Sequence, residues 1–251
     1  MTGNNCSITE VETITNLQEA DLMLVKEWMA ADPITIDENT SIMKATQLMK
    51  EHGIRRIPVV RDGQLVGIVS DRDIKEAAPS KATSLDVHEL YYLLSEIKAK
   101  DIMTPDPITL KENDSVEKAA IIMLENSISG MPVVDDENHV VGMITQTDVF
   151  KVMISITGAY KSPIQIAFDM EDRPGSLNEL LNAIREKGGR IASVLTTSDN
   201  MPPGRREVYI RLHEMPDEEL KKLVDDLKKD FKVIFMVKED LSHIPKKKKK
   251  S

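Results

Sequence analysis

Two short stretches carry residues whose types and spacing could do chemistry. Ser70-Asp71-Arg72-Asp73, in "GIVSDRDI", and Thr145-Gln146-Thr147-Asp148, in "GMITQTDV", each place a hydroxyl three residues before a carboxylate. At a helix start this is a capping box: the hydroxyl accepts from the third backbone N–H and the carboxylate reaches back to the first. The arrangement also suits a ligand. A carboxylate fixed in one rotamer can accept from the two hydroxyls of a ribose, and a helix N-terminus presents unpaired N–H groups to phosphate. Capping alone explains one occurrence. Two occurrences, each behind a nearly all-apolar strand, point beyond it.

Arg55 and Arg56, in "GIRRIPVV", are the second candidate. They stand just before a strand expected to be buried. Arginines at a strand edge can simply be solvated, but guanidinium forks also match phosphate oxygens. The corresponding positions further along the chain are Ser129 and Gly130, which offer a hydroxyl and no charge.

These elements belong to an internal repeat. Met29, Asp32, Pro33, Ile34 and Thr35 recur as Met103, Asp106, Pro107, Ile108 and Thr109. Ile54, Pro58, Val59 and Val60 recur as Ile128, Pro132, Val133 and Val134, and Gly67 and Asp73 as Gly142 and Asp148. Two copies are too few for a solenoid, where about three are needed, and imply two similar modules packed together. Each copy reads β-α-β-β-α. A short strand (34–36; 108–110) follows an Asp-Pro turn. A helix with one apolar stripe comes next (Ile42, Ala45, Leu48, Met49; Val116, Ala119, Ile122, Met123), then a hairpin, then the helix opened by the hydroxyl–carboxylate element. Asp114 and Glu117 are spaced as a capping box for the second copy's first helix. Between the copies, Leu90, Leu94 and Ile97 recur at helical spacing and predict a helix over 84–98.

The pattern changes after Gly158. Ile164, Ile166 and Phe168 alternate as a strand; "DRPGSL" turns into a helix with Leu177, Leu180, Leu181 and Ile184 on one face, with Ser176 as its cap and Gly188-Gly189 as its end. Strands over 190–196 and 206–212, a helix carrying Leu220, Leu223, Val224, Leu227 and Phe231, and a strand over 232–237 complete a ferredoxin-like βαββαβ unit.

Composition narrows the function classes. With 251 residues and 41% hydrophobic residues, the chain can build real cores, and its net charge of −9 argues against nucleic acid as the main partner. No apolar run is long enough to span a membrane and the N-terminus does not read as a secretory signal. The lone Cys6 forms no internal disulfide, which fits a cytoplasmic protein. The basic run Lys246 to Lys250 reads as a solvated tail. The five histidines are scattered with no metal-ligand spacing, so neither a catalytic nor a metal-binding set is expected, and no glycine-rich phosphate loop is present.

With "DPIT", "IRRIPVV", "GIVSDRD", then "DPIT", "SGMPVV" and "GMITQTD" on the page, the repeat resembles a tandem pair of CBS domains, a Bateman module. The third region resembles an ACT domain through "DRPGSL" and its element order, and the three-domain order resembles the acetoin-utilisation protein family. The fold class implied is α/β (α+β): two β-α-β-β-α CBS modules packed as a pseudo-twofold pair, followed by a ferredoxin-like ACT domain. The expected organisation is an N-terminal extension 1–24, CBS domains at 25–80 and 99–157, a helical linker 81–98, the ACT domain at 162–240 and a basic tail 241–251.

The CBS resemblance implies adenine-nucleotide binding (AMP, ADP or ATP as a regulatory ligand, with no cofactor required). It assigns the ribose to Asp73 and Asp148, with Ser70 and Thr145 at the matching hydroxyl positions. Phosphate contacts fall to Arg55 or Ser129, with Arg56, Arg72 and Thr147 nearby, and the adenine-lining strands carry Thr35 and Thr109. Ile54, Pro58, Ile128, Met131 and Pro132 complete the set. The ACT resemblance implies an amino acid or other small metabolite near Asp172, Pro174, Gly175, Ser176 and Leu177. The reading is a non-enzymatic regulatory protein, a homodimer without membrane or nucleic-acid partners, acting in acetoin or related carbon metabolism. The alternative is a non-catalytic subunit or scaffold of a metabolic enzyme, in which the CBS pair only dimerises.

Overall fold

Short apolar stripes and paired glycines shape the first part of the chain. In the computed structural model, described for residues 23–78, 92, 94–241 and 243–245, the chain divides into two compact units, up to Val149 and from Phe150. Residues 1–22 and the lysine run 246–250 of the expected basic tail lie outside the described residues, as does most of the linker helix; residues 92 and 94–96 are helical, and Leu94 and Ile97 pack on the first module's core.

The first unit holds the repeat. In the first copy, α1 (Ile42–His52) is followed by a hairpin of β3 (Arg56–Arg61) and β4 (Gln64–Ser70) and then by α2 (Asp71–Ala77). Asp62-Gly63, both at positive φ, makes the two-residue turn whose twist matches the flanking strands. In the second copy α4 (Val116–Glu125) precedes β6 (Gly130–Val134), β7 (Val140–Thr145) and α5 (Gln146–Thr157), with the short α3 (Ala99–Ile102) lying between the copies. Ile42, Ala45 and Met49 are buried on α1, and Val116, Ala119 and Met123 on α4, while Leu48 and Ile122 sit half-buried at the stripe edge.

Two expectations need correction. The first strand of each copy starts two residues late: β2 is Ile36–Asp37, and in the second copy only Leu110 bridges Val133. Asp32 and Asp106 adopt left-handed backbone (φ 46° and 45°) before their prolines, so the chain meets its neighbouring strand only after that turn. The cap of α4 is Ser115, whose side chain accepts from Lys118 N–H at 3.1 Å, just as Ser41 caps α1. Asp114 is instead drawn to the Lys118 ammonium at 2.6 Å.

The two modules exchange edge strands. β1 (Ala30–Ala31) pairs with β7 of the second copy, and β5 (Thr104–Pro105) with β4 of the first. The exchange explains the recurrent Met and Gly. A Cβ at Gly142 would overlap the Met29 sulfur, and one at Gly67 the Met103 sulfur. Interiors are close-packed, so each glycine reserves the space that the other module's methionine fills.

The second unit contains the expected β-α-β-β-α-β order: β8 (Ile164–Glu171), α6 (Ser176–Glu186), β9 (Ile191–Thr197), β10 (Arg205–Leu212), α7 (Asp217–Asp230) and β11 (Lys232–Lys238). Its antiparallel sheet runs β11-β8-β10-β9. The alternating side chains Ile164, Ile166, Phe168 and Met170 form a core with Leu180 and Ile184 of α6 and Leu220, Leu223, Val224 and Leu227 of α7. Gly188 (φ 83°) and Gly189 close α6 by donating to Arg185 O at 3.0 Å and Ile184 O at 2.9 Å. Ser176 is not the cap of α6. Gly175 holds that position, and the Ser176 hydroxyl donates to Arg173 O at 2.9 Å.

Candidate functional site

Strand register assembles the site in the first copy. β3 and β4 pair with Arg56 opposite Ser70, so the arginine pair lies beside the start of α2. Asp71 N–H donates to Arg55 O at 2.9 Å, which ties the two segments together. The capping box forms in full: Ser70 Oγ accepts from Asp73 N–H at 3.3 Å, and Asp73 Oδ2 accepts from Ser70 N–H at 2.7 Å. Asp73 is half-buried and its rotamer is held. Arg55, Arg72 and Thr35 are exposed, and the parallel register of Ile36 with Val59 sets Thr35 beside Pro58.

The second copy repeats the backbone and varies the bonds. Gly130 pairs with Thr145, and Gln146 N–H donates to Ser129 O at 3.2 Å. Asp148 Oδ2 accepts from the Thr145 N–H at 3.1 Å and from its hydroxyl at 2.6 Å. Ser129, Ile128, Thr109 and Asp148 are half-buried and Thr147 is exposed. Pro58, Met131 and Pro132 are buried within their sheets, where they back the site elements. Ile54 is half-buried and packs on the first module's core.

Arg56 breaks the symmetry. Its Nη2 donates to Ser129 Oγ in the other module, and its Cδ lies 3.5 Å from where a Cβ on Gly130 would stand. Burial lowers its pKa from the ordinary arginine value; Asp71 and Asp73 oppose that shift, while Arg55 and Arg72 add to it. Asp71 is held below the usual carboxylate range by the Lys75 ammonium, 2.8 Å away. Asp71 was not singled out from the sequence, and its counterpart Gln146 carries no charge that would have drawn attention to it.

Two further groups lay beyond sequence reasoning. Asp135, Glu137 and His139 converge in the β6–β7 turn, where Asp135 Oδ1 accepts from the backbone of Glu137 and of His139, and the Lys111 ammonium stands 3.1 Å from Asp136. That network organises a turn. Arg206, on β10, donates to Ser176 Oγ at 3.1 Å and lies 3.5 Å from Asp172, while its Nε is buried without a hydrogen-bond partner. It joins the expected loop Asp172–Leu177 across a sequence separation that carries no local signal. Pro174 and Gly175 are exposed in that loop and Leu177 is half-buried against the core.

A module pair with exchanged edge strands and a hydroxyl–carboxylate pair at the start of each second helix defines a class, and comparison with known proteins agrees. The CBS domain family matches residues 25–80 and 99–155. A CBS domain-containing protein of Dictyostelium discoideum is 31% identical over 53% of this chain and 93% of its own length. The chain belongs to the CBS domain-containing proteins. The L-aspartate semialdehyde sulfurtransferase of Methanocaldococcus jannaschii is 34% identical over 53% of this chain, which spans only 24% of that enzyme's length. Among solved structures, the CBS domain pair of protein MJ0100, in complex with 5′-methylthioadenosine and S-adenosyl-L-methionine, is 34% identical over 55% of this chain and 98% of its own, with a TM-score of 0.44. Among the described residues, no helix is long and apolar enough to cross a membrane.

Proposed function

We propose that this protein is a regulatory sensor whose CBS pair binds an adenine nucleotide through Asp73 and Asp148. The observation that supports it most is the convergence of the fixed Asp73 carboxylate with Arg55, Arg56 and Arg72 at one strand-to-helix junction. A carboxylate suits the ribose diol and the guanidinium cluster suits phosphate. An adenosine compound is also what the related pair at 34% identity is described with. The remaining contacts fall to Thr35, Ile54, Ser70, Thr109, Ile128, Ser129, Thr145 and Thr147, with Pro58, Met131 and Pro132 behind them. Bound ligand favours one arrangement of the modules over another and so shifts a population.

The domains in this reading are CBS modules at 25–80 and 99–157 and an ACT domain at 162–240. The ACT domain takes a small metabolite near Asp172, Pro174, Gly175, Ser176 and Leu177 or mediates assembly into a homodimer, and the controlled step lies in acetoin or related carbon metabolism. In this reading the chain is a regulatory module and performs no catalysis itself. Calorimetry with AMP, ADP and ATP tests the central claim. Asp73→Ala and Asp148→Ala should each weaken binding at their own site; no binding by the unaltered protein, or unchanged binding by both variants, sinks it. Bound nucleotide should also raise the melting temperature, because it stabilises only the native state.

A further inference from the structure

We propose that Met29 and Met103 are a paired modification site, at which a peroxide-type oxidant forms two sulfoxides and loosens the strand exchange between the modules. This is independent of the nucleotide reading above. The two residues are equivalent in the repeat, and each stands just before an exchanged strand, Met29 before β1 and Met103 before β5. Each lays its sulfur on a glycine of the other module, Met29 on Gly142 and Met103 on Gly67. The slots are full. Besides the sulfur, a Cβ on Gly142 would stand 2.9 Å from Met29 Cγ, and one on Gly67 2.8 Å from Met103 Cγ.

The exchanged strands depend on these contacts. β1 and β5 pair with the other module at two positions each, and their own residues are exposed. Such short exposed strands open locally at low cost, and both methionines are only half-buried, so an oxidant reaches the sulfur. The step is a two-electron oxidation of the thioether. A sulfur lone pair attacks one oxygen of hydrogen peroxide, the S–O bond forms as the O–O bond breaks, and the other oxygen leaves as water with the proton of the first. The product is larger by one oxygen and polar where the sulfide was apolar. Gly67 and Gly142 lie on β4 and β7, each flanked by a strand on both sides. The new oxygen therefore meets paired backbone and no spare volume, and burying it there without a hydrogen bond is unfavourable. The sulfur leaves its slot, and the strand behind it loses its anchor.

The test treats the full chain with hydrogen peroxide, locates each sulfoxide by peptide mass spectrometry and measures the melting temperature before and after. The comparison is the double variant Met29→Leu, Met103→Leu, in which a side chain of similar volume that peroxide does not oxidise fills each slot. Met43, Met153 and Met236 are exposed and serve as internal controls for generic oxidation. The expected result is sulfoxide at Met29 and Met103, a melting temperature lowered by about 5 °C in the unaltered chain, and no fall in the double variant although the three exposed methionines are oxidised. Methionine sulfoxide reductases acting on both epimers should restore the unaltered chain. An equal fall in the double variant overturns the proposal, as does an unchanged melting temperature with both sulfoxides present. Met29 and Met103 remaining reduced while the exposed three are oxidised overturns it as well. Should the double variant not fold, each single variant is read instead, with about half the fall expected; a full fall in both overturns the proposal.

Discussion

The two CBS modules share a backbone and differ in charge. Both cap their first helix with serine, both bend at a left-handed aspartate before proline, and both lend a strand to the other's sheet. The site elements then diverge. Arg55 and Arg56 face Ser129 and Gly130; Asp71, Arg72 and Lys75 have Gln146, Thr147 and Phe150 as counterparts. A duplicated scaffold is kept by packing, which tolerates little change, whereas half-exposed side chains can be exchanged at small cost. Here the two sides are not independent, because the Arg56 stem of one module lies against Gly130 of the other and its guanidinium donates to Ser129.

The symmetric part of the comparison is the hardest to break. Gly67→Val and Gly142→Val should each cost about 3 kcal/mol by overpacking against the exchanged methionine, measured by urea denaturation. Unequal costs would show that the two exchanges are not equivalent. The site carboxylates come next. Asp73→Ala and Asp148→Ala should each weaken AMP at their own site about 10- to 100-fold, since each loses a charged acceptor; a loss confined to one variant would make the modules functionally unequal.

Smaller still is Ser129→Ala. It removes the hydroxyl under Arg56 and should lower stability by about 1 kcal/mol, whereas a change without effect would mean that the guanidinium finds water as readily.

The smallest effect is in acid. Asp71 has a depressed pKa in the folded protein, so the stability it adds is present above the ordinary carboxylate range and is lost as pH falls through the depressed value. The pair with Lys75 is largely exposed, so the amount is a few tenths of a kcal/mol. Asp71→Asn should flatten the acid limb of the melting curve slightly, while Gln146→Glu, which lacks a lysine four residues on, should add no such dependence.

The second unit shows where local patterns suffice. Alternation from Ile164 to Phe168 and the apolar stripes of α6 and α7 located β8 and both helices, because a sheet face and a helix stripe buried against each other impose their periods on the chain. Caps were less legible. Ser176 and Asp114 both have suitable side chains, yet the neighbouring Gly175 and Ser115 hold the capping positions, since a shift of one residue along the chain decides which side chain meets the free amides. Strands of two residues such as β1 and β5 leave no periodic trace, as their partners lie in the other module.

The chain alone determined the repeat, the order of elements and the pairing of Ser70 with Asp73 and of Thr145 with Asp148, since these depend on spacing within a few turns or strands; the full capping box forms only at Ser70. It also showed that one copy is rich in arginine and the other is not. Only the tertiary structure decided where that charge goes. Its place in the repeat puts Arg56 with its own module; the fold carries its guanidinium onto Ser129 of the other, where its stem lies against Gly130. Which module owns a long side chain is a matter of packing across an interface, and spacing along one copy cannot encode it.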